Sequence, residues 1–269
     1  VGGGIPLPEI RKGGDPLPFL VVEHLTKVYE DGTRALEDIS FTVERGEFVV
    51  IIGLSGSGKS TLLRCINRLV EPTSGKIYID GVDVTALGPD ELRRLRRQIG
   101  MIFQQFNLVK RASVLTNVLS GRLGYVPPLW SVVNYWPREE VRRAQETLER
   151  VGIADKAYTR ADQLSGGQQQ RVGIARALMQ EPKLILADEP VSALDPATSH
   201  SILKYIEDLN REGITILCSL HFLSLARRYG KRIIALKQGR IVFDGHPEEI
   251  DDHRFREIYG EEAIEVEIR

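Results

Sequence analysis

The sequence predicts an α/β fold in which a helical lobe interrupts a strand-and-helix core, and three observations predict it. Short apolar runs bounded by turn residues recur in both halves of the chain, a glycine-rich loop joins one such run to a helix-like stretch, and residues 105–182 between them read as mostly helical. With 269 residues, 42% hydrophobic and 27% charged, the chain has enough apolar surface for a packed core and a length of about two domains.

Residues 1–18 are punctuated by glycine and proline and predict a flexible tail, or alternatively a partner-binding arm; the stretch lacks a secretory signal pattern. Strands are expected at Phe19–His24, Leu36–Val43 and Phe48–Ile52, with turns at Asp31-Gly32 and Arg45-Gly46. A helix follows from Lys59 to about Leu69, then a strand at Lys76–Ile79 closed by Asp80-Gly81, a hairpin-turn pair. Ile99–Phe103 ends the first part of the core. Within the lobe, Glu139–Val151 and Gln169–Met179 read as helices. Strand patterns return at Leu184–Ala187, Ile214–Ser219, Ile233–Leu236 and Arg240–Phe243. The expected division is therefore a tail at 1–18, a core at 19–103, a helical lobe at 104–182 and the rest of the core at 183–269.

The net charge of −1 argues against a protein held to a polyanion by global positive charge, and no nucleic-acid partner is expected. No apolar run approaches the roughly 20 residues of a membrane-spanning helix. Two cysteines exclude a disulfide framework and fit a reducing, cytoplasmic compartment; Cys65 and Cys218 read as small buried residues.

Three motifs carry the chemistry. Gly53-Leu54-Ser55-Gly56-Ser57-Gly58-Lys59-Ser60-Thr61 follows an apolar strand and opens a helix. Glycines let backbone N–H groups converge on phosphate, the helix adds its positive end, Lys59 adds a full charge, and the Ser60 hydroxyl can ligate Mg²⁺. This predicts a nucleoside-triphosphate site. Leu184–Ala187 runs into Asp188-Glu189, which places a metal-binding carboxylate at a strand end and leaves Glu189 to polarise an attacking water. Leu164-Ser165-Gly166-Gly167-Gln168 precedes a helix and reads as a second anion-binding helix start, on the other lobe.

With the phosphate loop first, Leu164–Gln168 second and Asp188-Glu189 third along the chain, the sequence resembles the ATP-binding cassette subunits of membrane transporters from Phe19 onward. The resemblance implies a P-loop NTPase (RecA-like) core with an N-terminal antiparallel β subdomain and an inserted α-helical subdomain. It also implies ATP hydrolysis with Mg²⁺, and a head-to-tail dimer with a second copy, each ATP lying between one chain's phosphate loop and the other's Ser165–Gln168. By the same resemblance Tyr29 stacks on adenine and Gln104 ligates Mg²⁺, with its neighbour Gln105 as the alternative. Asp195, in Ser192-Ala193-Leu194-Asp195, lies on the loop that crosses the dimer interface, and His221 sits near the γ-phosphate. Catalytic roles thus fall to Glu189, His221, Lys59 and Gln104, and metal ligation to Ser60, Gln104 and Asp188.

The same resemblance implies separate transmembrane permease subunits, an indirect link to a substrate-binding protein, and a peripheral location on the cytoplasmic face of the inner membrane. Leu63–Leu69, Gln104–Tyr125, Ala157–Gln163 and Gly124–Pro137 with Trp130 and Trp136 are similar to the phosphonate-import branch. Cassettes of phosphate, methionine, polar amino acid or lipoprotein-release systems are the alternative branches, and nucleic-acid-associated cassettes the rival class; the latter carry long coiled coils or paired cassettes that this chain lacks. Two departures stand out: Lys110-Arg111 replaces a proline-containing pair, and Ser219 opens a triplet that commonly begins with asparagine. The run Arg93-Arg94, Arg96-Arg97 reads as a solvated helix face, with membrane headgroups as its alternative contact.

Overall fold

The computed structural model describes residues 18–127 and 135–260. Most of the expected tail and Trp130 of the 124–137 segment lie outside the described residues. In chain order the strands are β1 (Leu20–Val28), β2 (Arg34–Val43), β3 (Phe48–Ile52), β4 (Ser74–Ile79), β5 (Val82–Asp83), β6 (Ile99–Ile102), β7 (Leu184–Asp188), β8 (Thr215–Ser219), β9 (Arg232–Lys237) and β10 (Arg240–Gly245). The α-helices are α1 (Lys59–Ile66), α2 (Pro89–Arg96), α3 (Val114–Leu119), α4 (Arg138–Arg150), α5 (Gly166–Leu178), α6 (Pro196–Arg211), α7 (Leu223–Tyr229) and α8 (Asp252–Tyr259).

Two sheets form. One is antiparallel, in the order β2-β1-β4-β5; the other runs β10-β9-β3-β8-β7-β6 and is parallel except for β10. The parallel strands read as unbroken apolar runs because both of their faces are covered. In β3, Phe48, Val50 and Ile52 face the core beneath α3, α5, α6 and α7, while Val49 and Ile51 face the core shared with α1 and the antiparallel sheet. The two-residue period splits one strand between two cores, so no polar position is left in it. The parallel arrangement also brings the C-terminal ends of β3, β6, β7 and β8 to one edge, where such sheets bind ligands.

The Asp80-Gly81 expectation holds: φ is 52° and 77° at the two positions, as a two-residue hairpin of this hand requires. Most of the other expected boundaries shift by one or two residues, and three shift further. β1 runs on past His24 to Val28, through left-handed His24 (φ 49°) and a shift of register with β4, where the apolar run of its first half gives way to mixed residues. α1 stops at Ile66 rather than Leu69 because Arg68 enters the left-handed region (φ 47°) and the Leu69 N–H turns back to the Arg64 carbonyl (2.8 Å), while Arg96 of α2 donates to the carbonyls of Asn67 (3.1 Å) and Arg68 (2.7 Å). Arg96 is therefore a cap rather than part of a solvated face, although Arg93 remains exposed. α5 starts at Gly166, three residues early, since Ser165 and Gln168 form a capping box: the Gln168 N–H donates to Ser165 Oγ and the Ser165 N–H to Gln168 Oε1. No helix among the described residues is long and apolar enough to cross a membrane.

Candidate functional site

The phosphate loop leaves β3 at Gly53, where φ is 144° and a Cβ would fall 2.2 Å from the Leu236 carbonyl oxygen. At Gly58, with φ 107°, it would fall 2.5 Å from the Ala35 carbonyl oxygen. Only glycine fits either position. Gly58 offers α1 no side-chain cap, so the N–H groups at the start of the helix point into the loop without a side-chain partner. Ser55 and Gly56 are exposed on the loop, while Ser57 and Lys59 are buried. The Lys59 ammonium curls back to donate to the carbonyls of Gly53 (2.8 Å) and Leu54 (3.1 Å). Burial pushes its pKa below the usual lysine range, with the charge of Glu189 pulling the other way.

Asp188, fully buried at the end of β7, accepts from Ser60 Oγ at 2.6 Å and from the Arg64 guanidinium at 3.3 Å. The next residue turns out of the strand: Glu189 has φ 47°, in the left-handed region that side chains disfavour. Its carboxylate gathers three groups. Gln104 Nε2 donates to Oε2 at 2.9 Å, His221 Nε2 lies 2.7 Å from the same oxygen, and Lys59 Nζ lies 3.6 Å from Oε1. Burial alone would raise the carboxyl's pKa, but the hydrogen bond and charge of His221, then those of Lys59, hold it below the usual glutamate value. Gln104, not Gln105, is the glutamine directed at this cluster.

Tyr29 follows β1, with its hydroxyl 3.3 Å from Thr61 Oγ1 and the Lys27 ammonium 5.1 Å from its ring centre. The residue is partly exposed to solvent beside the helix start. The structure thus brings Tyr29, Lys59, Ser60, Thr61, Gln104, Asp188, Glu189 and His221 to one end of the sheet. Ser165–Gln168 stand apart on the helical lobe. Their side-chain bonds are with each other, and the two glycines approach Phe106, Leu194 and Thr198. Asp195 caps α6 by accepting the Thr198 N–H at 3.0 Å, and the Thr198 hydroxyl together with that N–H holds its carboxyl pKa low.

Three participants escaped the sequence motifs. Arg64 pairs with Asp188, Tyr259 donates to the His221 carbonyl at 3.2 Å, and Ser219 Oγ accepts the Glu189 N–H at 2.9 Å. Of these only Ser219 left a signal, as a departure from the asparagine expected there. The cysteines are inert: burial pushes Cys65 up to about 12 and Cys218 also upward.

A parallel sheet with a glycine loop, a strand-end carboxylate pair and a buried lysine defines a phosphate-loop nucleotide-binding protein. The model of the family described as ABC transporter matches residues 36–192. The phosphonates import ATP-binding protein PhnC of Bdellovibrio bacteriovorus is 56% identical over 251 residues, covering 93% of this chain and 96% of that protein. The PhnC 3 protein of Halalkalibacterium halodurans is 51% identical over 247 residues, 91% of this chain and 96% of its own. Among solved structures, the dimeric post-hydrolysis state of the ATP-binding cassette MJ0796 bound to ADP and Pi has a TM-score of 0.74 at 39% identity, covering 85% of this chain and 98% of that one. The cbiO1 subunit of Clostridium perfringens, part of the cbiONQ transporter complex, has a TM-score of 0.76 at 33% identity, covering 89% and 93%. The chain belongs to the ABC transporter family, as one of its ATP-binding cassettes.

Proposed function

We propose that this cassette hydrolyses ATP to drive a phosphonate importer, and that the cluster around Glu189 is where hydrolysis occurs. The observation that carries the reading is the Glu189 carboxylate, buried among Lys59, Gln104 and His221 and next to the Ser60–Asp188 pair. Phosphate entering the loop would take the ammonium of Lys59 and the uncapped N–H groups of α1 as its partners. That frees Glu189 to accept a hydrogen bond from the attacking water, with His221 and Gln104 fixing its direction. A carboxylate held below the usual glutamate pKa orients water rather than carrying a resting proton. Tyr29 offers an aromatic face for the base.

Ser60 Oγ and Asp188 Oδ1, 2.6 Å apart, are hard oxygen donors suited to Mg²⁺, and Gln104 offers a third. Held there, Mg²⁺ would supply positive charge to the phosphate oxygens. Ser165–Gln168 cap a helix whose start does not belong to the chain's own phosphate loop, which supports a head-to-tail pairing of two copies. The relatives' names support phosphonate as the cargo, and with it separate permease subunits, a substrate-binding protein and a peripheral position on the cytoplasmic face of the membrane.

The test is ATP hydrolysis by the chain reconstituted in vesicles with its permease and binding protein. Stimulation by phosphonates is expected. Basal hydrolysis that no phosphonate raises would remove the cargo assignment, and absence of hydrolysis under every condition would remove the ATPase.

A further inference from the structure

Ser219 sits between the two carboxylate residues without belonging to either motif. The Glu189 N–H donates to Ser219 Oγ at 2.9 Å, and that hydroxyl lies 3.3 Å from Asp188 Oδ1. Ser219 is fully buried, and it is the register partner of Asp188 where β7 and β8 end. One residue further on, the backbone enters the left-handed region at Glu189. This turn carries the Glu189 N–H out of the sheet ladder, and a buried N–H needs an acceptor. Ser219 provides it. Its own proton has Asp188 Oδ1 as the nearest acceptor, ahead of the Ala187 carbonyl at 3.5 Å. Asp188 Oδ1 also receives Ser60 Oγ. One hydroxyl therefore ties the backbone of Glu189 to the carboxylate that faces the phosphate loop.

We propose that Ser219 is a positioning residue: it holds the unfavourable backbone turn at Glu189 and thereby aims the Glu189 carboxylate while keeping it in register with Asp188. The proposal rests on the reading of Glu189 as the group that orients water. It predicts that side chains pairing an acceptor with a donor at this position work, and that those with neither fail. Asparagine offers both, and alanine offers neither.

The experiment compares steady-state ATP hydrolysis and nucleotide affinity of the full chain carrying Ser219→Ala, Ser219→Asn or Glu189→Gln, with thermal midpoints as the check on folding. Ser219→Ala should lose about tenfold in kcat, with KM and nucleotide affinity within about twofold of the parent. Ser219→Asn should recover most of the rate. If Ser219→Ala does not fold, Ser219→Cys, similar in size but a weak acceptor, carries the same test. Unchanged kcat in Ser219→Ala beside an inactive Glu189→Gln would overturn the proposal, as would an equal loss of kcat in the alanine and asparagine variants or a rise in KM alone. Full turnover by Glu189→Gln would instead overturn the reading of Glu189, and the proposal with it.

Discussion

His221 Nε2 lies 2.7 Å from Glu189 Oε2, although the two residues come from the ends of different strands. The parallel pairing of β7 with β8 sets Asp188 opposite Ser219, so the residues that follow each strand emerge side by side. A charge-assisted contact of this kind, largely shielded from solvent, links protonation to both stability and activity.

The first consequence is a pH dependence with a definite sign. The Glu189 carboxyl is held below its usual 4.5, against burial, by His221 and then Lys59. Its contribution to stability is therefore complete above that value and is lost as pH falls through the lowered one. The thermal midpoint of the wild type should drop relative to that of Glu189→Gln as the pH falls below about 4.5. A gap that stays constant or moves the other way would contradict the arrangement.

Lys59→Ala removes the buried ammonium that spans the loop carbonyls and Glu189. ATP affinity should fall by about a hundredfold or more, measured by equilibrium binding of a fluorescent nucleotide. Unchanged affinity would show that the loop does not hold the phosphates.

Glu189→Gln keeps the shape of the side chain and removes its charge. ATP binding should persist while turnover falls by at least about a hundredfold. Size-exclusion chromatography in ATP should then show accumulated dimer. Normal turnover would mean that another group orients the water.

Ser165→Arg places a long cation at the start of α5, far from the chain's own phosphate loop. The isolated chain should bind nucleotide as before, while hydrolysis falls by about tenfold or more because the second copy's phosphate loop is denied its cap. Full activity would argue against a shared site.

Gly53→Ala tests the loop as a piece of structure. The added Cβ would fall 2.2 Å from the Leu236 carbonyl oxygen in a conformation reserved for glycine. A loss of roughly 1–3 kcal/mol in chemical denaturation is expected, together with weaker nucleotide binding. Gly56→Ala meets no atom within 4 Å, although its φ of 79° still disfavours a side chain, and it should cost less.

The core strands were legible because burial on both faces leaves an uninterrupted apolar run, as in Leu184–Ala187. The loop was legible because its glycines, lysine and hydroxyl stand in one contiguous stretch. Elements whose ends depend on distant partners were not. α1 stops where Arg68 turns left-handed and Arg96 takes the carbonyls left beyond its end, and β1 passes a bulge that hides its second half. α6 was not assigned from the sequence, although Asp195-Pro196, a capping residue followed by proline, marks its start.

The sequence by itself determined the alternation of apolar segments, the phosphate loop, the paired acids and the order in which these occur, because each is a local pattern carried by neighbouring residues. Only the tertiary structure decided which side chains meet. Gln104, Glu189 and His221 follow three different strands, and Ser219 and Arg64 join them through contacts spanning 30 and 124 residues of chain. The physical reason is the parallel sheet. It turns separations along the chain into short distances between strand ends, and it leaves the buried N–H of Glu189 to be satisfied by whatever the neighbouring strand presents there, which in this chain is a serine.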